Sequence, residues 1–178
     1  MKRQTLFALS LLMFAAILNF SCEKGQACVD RVDADKEPSD LVAKKLHSPD
    51  FDLNVNLKGW DNGQGHLKFR QDPDALKIIE LNIKVHNLLP NHEYLLQRAV
   101  DPINMVDGDC SSTSWLTLGD GLTPQSIMTN AQGNGEEDLW RDVTAVPSDA
   151  SFDIHFQVVD AVTLEVVLSS DCYQYKVR

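Results

Sequence analysis

Four oxygen-bearing side chains fall close together in one segment of the chain, at Asp101, Asn104, Asp107 and Asp109. Carboxylate and amide oxygens are the ligands that a hard cation such as calcium accepts. The spacing does not follow the EF-hand pattern, and Asx turns in a surface loop account for the same residues. The segment is therefore a candidate calcium site, with an ordinary loop as the alternative.

A tryptophan in a turn is a second candidate. Trp60 stands between Gly59 and Asp61-Asn62-Gly63, a run of turn-forming residues. An exposed indole can stack on a sugar ring, so Trp60 is the candidate ligand residue of a carbohydrate-binding module. Trp115 and Trp140 lie in strand-like stretches, and we expect them in the core.

The sequence gives little indication of a catalytic nucleophile or of a histidine metal site. Neither Gly-x-Ser-x-Gly nor His-Glu-x-x-His occurs, so no such motif places a base beside a nucleophile. The histidines are scattered, and we expect solvated surface side chains at His47, His66, His86, His92 and His155. The expectation is a protein that is not an enzyme and holds no cofactor.

The N-terminus has the layout of a secretory signal over residues 1–21, with a basic start and an apolar run over 6–20. Ser21 directly precedes Cys22, and the pattern resembles the lipobox of bacterial lipoproteins, with Asn19 where that family usually has Leu. The resemblance implies cleavage before Cys22, lipid on its sulfur and amine, and a Gram-negative outer-membrane lipoprotein that faces the periplasm or the cell surface. An ordinary signal peptide with a chance cysteine is the alternative.

Residues 22–49 are rich in charge and poor in large apolar side chains, which predicts a flexible tether. The whole chain has 178 residues and a formal net charge of −10, and loss of Lys2 and Arg3 with the signal makes it more negative. Phosphate backbones require clustered Lys and Arg, so nucleic acid is not an expected partner.

The pattern changes at the predicted domain, residues 50–178. Apolar and polar residues alternate with period two over 51–57, 79–85 and 152–158, which predicts three half-buried strands. Shorter strands separated by turn signals follow, and no stretch past Pro49 has a helical apolar stripe. We therefore predict an all-β fold: a single antiparallel β-sandwich, Ig-like or Greek-key, of about eight or nine strands.

With Cys22 lipidated, three cysteines remain in an oxidising compartment. We favour a disulfide between Cys110 and Cys172, because both lie inside the predicted domain whereas Cys28 lies in the tether. The alternative is that Cys110 and Cys172 are separate buried thiols. Cys28 is then free or pairs with another chain.

The order of several features resembles the copper/zinc superoxide dismutase β-sandwich and its non-catalytic relatives. The features are the Leu89-Pro90 turn, the Gly108-Asp109-Cys110 segment with a C-terminal cysteine, and the Gly133-Asn134-Gly135 hairpin. The family's two copper-binding histidines correspond to Leu96 and Arg98, so the resemblance implies the scaffold without its copper site.

These observations predict a lipid-anchored cell-envelope protein whose non-catalytic sandwich binds or supports another envelope component, a protein or a glycan. The alternatives are a carbohydrate-binding module and a metal-binding, dismutase-like protein with a relocated site.

Overall fold

The computed structural model describes residues 51–178. The predicted signal peptide at 1–21, the lipidation site Cys22, Cys28 and the tether at 22–49 lie outside the described residues. Within that part the chain forms strands and turns and no helix, and thus no helix that could cross a membrane. The strands are β1 (Leu53–Lys58), β2 (Gln64–Gln71), β3 (Ile78–His86), β4 (Glu93–Val100), β5 (Leu116–Thr117), β6 (Gly119–Asp120), β7 (Thr123–Pro124), β8 (Ser126–Met128), β9 (Gly135–Asp142), β10 (Ser151–Asp160), β11 (Val166–Ser170) and β12 (Tyr173–Lys176).

The strands form one 12-stranded sheet with the order β5-β4-β10-β11-β1-β2-β3-β9-β6-β7, while β12 pairs with β10 and β8 with β4. The path curls back on itself, so that the sheet is nearly closed and barrel-like. The sheet curves at β10, which pairs with β4, β11 and β12 along its length and carries a bulge between Val158 and Val159.

The all-β prediction is confirmed, and the three alternating segments form β1, β3 and β10. The sheet is mixed rather than wholly antiparallel, because β6 runs parallel to β9. The strand count exceeds the expected eight or nine, since residues 116–128 fold into four strands of two or three residues each. The Ig-like arrangement of two separate sheets is not confirmed.

The core fills the inside of the sheet. Its side chains alternate with more exposed ones on β1 and β3, as period two requires, whereas β10 is buried on both faces. Three aromatic rings form the centre of the core. Phe69 meets Phe156 and Tyr175 edge to face, with ring centroids 6.1 and 4.7 Å apart. The Tyr175 hydroxyl donates to Gln71 Oε1 at 2.6 Å, so the buried phenol is satisfied.

The antiparallel pairings place the connections at two ends of the barrel. The turns at 59–63, 87–92 and 161–165 share one end, which we call the upper end. The segments at 72–77, 101–115 and 143–150 share the other, the lower end, where the candidate site lies.

Candidate functional site

A cavity of about 180 Å³ opens at the lower end of the barrel. Its walls are mostly apolar, and aromatic and aliphatic core side chains form its inner part. A cavity of about 150 Å³ with such a lining holds a benzene ring, so this one has room for a single aromatic ring or a short acyl chain. The inner lining includes Phe69, Leu81, Leu118, Phe152, Ile154 and Tyr175.

Arg98 interrupts the apolar lining. On β4 the inward positions are Tyr94, Leu96 and then Arg98, two residues apart, and the first two are fully buried. Arg98 pairs across the sheet with Phe156 of β10, whose ring belongs to the core. Arg98 therefore places a guanidinium at an inward position, where the alternation of the strand predicts an apolar side chain.

Arg141 of β9 is the second cation of the cavity. It follows the buried Leu139 by two residues and pairs with Ile79 of β3, so it also faces inward. Its Nη1 donates to the backbone oxygen of Gly121 at 2.9 Å. β9 pairs with β3 and β6, whereas β4 pairs with β10, β5 and β8, so the two arginines line the same cavity from strands that do not pair with each other.

The electrostatics of Arg98 are unfavourable in the free protein. Burial lowers the pKa of its guanidinium, and the charge of Arg141 lowers this pKa further. Within residues 51–178 none of the ion pairs involves Arg98. An arginine still stays protonated near neutral pH, so the cavity keeps a largely buried positive charge without a counter-ion. A bound anion would remove this cost.

Asp101 also lines the cavity, but its carboxylate is occupied elsewhere. It accepts the backbone N–H of Ser111 at 3.0 Å and of Ser112 at 2.6 Å. Burial alone would raise the pKa of Asp101, but these hydrogen bonds, the Ser111 hydroxyl and the nearby His155 lower it overall. Asp101 therefore holds the loop and leaves Arg98 unpaired.

The other residues of the candidate calcium segment also make loop contacts. Asp107 Oδ1 accepts the N–H of Asp109 at 2.9 Å, as in an Asx turn, and Asn104 Oδ1 lies 3.4 Å from the N–H of Ser151. In the described range no three His, Cys, Asp or Glu side chains converge as a metal site would need. The calcium site at Asp101, Asn104, Asp107 and Asp109 stays a prediction.

The disulfide between Cys110 and Cys172 is confirmed, with Cα atoms 5.4 Å apart. It ties the 101–115 segment, which supplies the Asp101 and Ile103 side of the cavity, to the chain between β11 and β12. The buried Asp153 holds the same segment by accepting the N–H groups of residues 107 and 108 at 2.9 and 2.8 Å. The disulfide and the hydrogen bonds of Asp153 thus both hold the segment that forms one wall of the cavity.

The tryptophans differ from the expectation in two respects. Trp60 is 98% exposed at the tip of the β1–β2 turn, in line with its predicted loop. Trp140 was expected in the core but is 42% exposed, because its neighbour Leu139 takes the inward position and turns the indole outward. Trp115 was also expected in the core, but it precedes β5, is only partly buried and packs on His155, with ring centroids 4.6 Å apart.

Three histidines expected to be solvated, His66, His92 and His155, are partly buried, and the last two bond to partners far away in the sequence. His92 Nε2 lies 2.5 Å from Asp160 Oδ2, and His155 Nε2 lies 3.0 Å from the backbone oxygen of Ser112. The sequence did not predict these two contacts, because the partners of His92 and His155 lie far away along the chain. His66 and His86 each contact an asparagine on exposed strand faces.

Comparison with protein-family models, with curated proteins and with solved structures found no match for this chain.

Proposed function

We propose that the protein is a lipid-anchored, non-catalytic binding protein of the cell envelope, and that its barrel takes up a small anionic ligand with an apolar body. The observation that carries the ligand class is the unpaired Arg98, with Arg141 beside it, in an open and mostly apolar cavity. A carboxylate could accept hydrogen bonds from Arg98 and Arg141 while a ring or short chain fills the space between the core side chains.

Three probes of related shape test the ligand class. Phenylacetate has both the ring and the charge, 2-phenylethanol has the ring alone, and acetate has the charge alone. Calorimetric titration of the full chain in a non-ionic detergent should show that phenylacetate binds at least roughly tenfold more tightly than either. Phenylethanol lacks the hydrogen bonds to charged groups, which contribute about 1.5–3 kcal/mol, and acetate lacks the apolar surface of the ring. Equal binding of phenylethanol, or no binding of phenylacetate, would refute the proposal.

The anchor is proposed from the signal sequence and Cys22. Two or three acyl chains hold a protein on a membrane, whereas one chain binds only marginally. Cys22→Ser should therefore move the protein from the membrane fraction to the soluble fraction, with Cys28→Ser as the matched control that stays bound. A Cys22→Ser protein that still sediments with membranes would contradict the lipobox assignment.

For the finer fold, we infer a scaffold similar to the copper/zinc superoxide dismutase sandwich without its copper ligands. Support comes from the disulfide that joins the Gly108-Asp109-Cys110 segment to a cysteine near the C-terminus. Support also comes from Arg98, which corresponds to one of the family's histidine positions and here faces an apolar cavity.

A further inference from the structure

The outer surface of β2, β3 and β9 carries a second hollow, of about 530 Å³. The strand registers place its side chains in two rows: Arg70, Glu80 and Trp140 lie side by side, and Lys68, Asn82 and Asp138 form the next row. We call these six residues the Trp140 face. They point away from the barrel interior, so the hollow is separate from the cavity that holds Arg98 and Arg141.

The indole of Trp140 packs against the backbone of Gly121. Gly121 donates its N–H to the Trp140 backbone oxygen at 2.9 Å. A Cβ on Gly121 would lie 2.7 Å from the Trp140 ring, so the glycine backbone lies directly against the indole. The ring is therefore supported on one side and exposed on another, and little conformational freedom remains to be lost when a ligand stacks on it.

The polar groups of the Trp140 face are also ordered before any ligand arrives. Asn82 Nδ2 donates to Asp138 Oδ1 at 2.7 Å and to Glu136 Oε1 at 3.0 Å. The Arg70 guanidinium donates to the backbone oxygen of Leu53 at 2.9 Å and to Asn54 Oδ1 at 3.0 Å. Planar amide and carboxylate groups thus lie in the row next to the indole, and the guanidinium of Arg70 lies toward the β1 side of the same face.

The charge pattern indicates which ligand fits. Lys68 and Arg70 are cationic, whereas Glu80 and Asp138 are anionic, so the face favours neither an anionic nor a cationic polymer. A sugar hydroxyl both donates and accepts, so it can use groups of either kind. The apolar C–H side of a pyranose ring can at the same time stack on the indole of Trp140.

We propose that the Trp140 face binds a neutral polysaccharide. The site is independent of the anion cavity, and it moves the carbohydrate-binding role predicted for Trp60 to another tryptophan. Trp60 stands 98% exposed at a turn, whereas Trp140 is supported by Gly121 and flanked by ordered polar side chains.

Affinity electrophoresis of the full chain in non-ionic detergent tests the proposal. The acidic chain migrates toward the anode in a native gel, and a polysaccharide that binds it slows the migration. The gels contain mixed-linkage β-glucan, xylan or galactomannan, with polygalacturonate as the charged control. At least one neutral polymer should retard the chain. Retardation by none of the three, or by polygalacturonate alone, would overturn the proposal.

Trp140→Ala should weaken the retardation by roughly tenfold or more, because the stacking surface is lost. Trp60→Ala is the matched control and should bind as the parent chain does. A loss in Trp60→Ala with retention in Trp140→Ala overturns the proposal. Should Trp140→Ala fail to fold, Glu80→Ala at an exposed position of the same row must weaken the retardation by a similar factor, and an unchanged mobility then overturns the proposal.

Discussion

The substitution Arg98→Met should stabilise the free protein and weaken ligand binding. Methionine keeps an unbranched chain of similar length, so the aliphatic contacts of the arginine stem inside the cavity persist. What disappears is a largely buried charge whose pKa is lowered by burial and by Arg141, and which has no ion-pair partner within residues 51–178. The two effects have opposite signs because the same charge is costly without a ligand and useful with one.

The expected magnitudes follow from the surroundings of the side chain. A buried hydrogen-bonding group without a partner costs about 1–3 kcal/mol, and a charged one costs more, but the Arg98 site opens to solvent at the mouth of the cavity, so we expect about 1–2 kcal/mol. For a domain of this size that corresponds to a rise in Tm of roughly 3–10 °C. Loss of a hydrogen bond to a charged group weakens phenylacetate binding by roughly 10- to 150-fold.

Thermal unfolding and calorimetric titration measure the two effects on the same samples. Arg70→Met is the matched control, because the Arg70 guanidinium donates to the Leu53 backbone oxygen on the outer face. It should lose stability and bind phenylacetate as the parent does. If Arg98→Met lowers the Tm and leaves phenylacetate affinity unchanged, Arg98 supports the fold rather than a ligand, and the reasoning about the cavity is wrong.

Three further predictions concern the fold and the second face. Replacing Cys110 and Cys172 together by serine opens a loop with a sequence separation of 62 residues and should lower the free energy of unfolding by roughly 4 kcal/mol in urea titrations; a loss below about 1 kcal/mol contradicts the chain-entropy account. Backbone N–H groups of the β10–β11 turn, and then His92, lower the pKa of Asp160 to about 2. As the pH falls, the unfolded chain therefore binds the proton before the folded chain does. The stability that ionised Asp160 contributes is complete above about pH 4 and is lost as the pH falls toward 2. An Asp160→Asn variant should lack this part of the acid-induced destabilisation, and a stability profile against pH identical to that of the parent would refute the assignment. Gly121→Ala, at a φ of +62°, should destabilise the protein by about 1 kcal/mol and weaken polysaccharide retardation, because the new Cβ displaces the Trp140 ring; unchanged mobility in the gel would show that the position of the ring does not matter.

The sequence predicted three of the longer strands because their apolar residues alternate with polar ones. Residues 79–85 and 152–158 could be assigned in this way, and they form the middle of β3 and β10. The short strands between 116 and 128 could not be assigned, because two or three residues carry no period and their pairing depends on β4 and β9. The near closure of the sheet also depends on these pairings and on the bulge in β10.

The candidate cavity was missed although one signal for it was present. Tyr94, Leu96 and Arg98 lie two residues apart, and an arginine in phase with two core residues indicates an inward charge. Nothing in the local sequence shows that Arg141 lies on the opposite side of the same cavity, since that depends on the closure of the barrel. The disulfide was predictable because the cysteine positions left few pairings.

The two proposed sites depend on a single register in β9. Trp140 and Arg141 are adjacent, so the pleat sends the indole to the outer face and the guanidinium into the cavity. A shift by one residue would exchange them and would bring Leu139 out of the core, where it pairs with Leu81. The burial of Leu139 therefore keeps both sites in place at once. Leu139→Ser should loosen this register, and it should consequently weaken phenylacetate binding and polysaccharide retardation together, whereas Arg98→Met affects only the first and Trp140→Ala only the second.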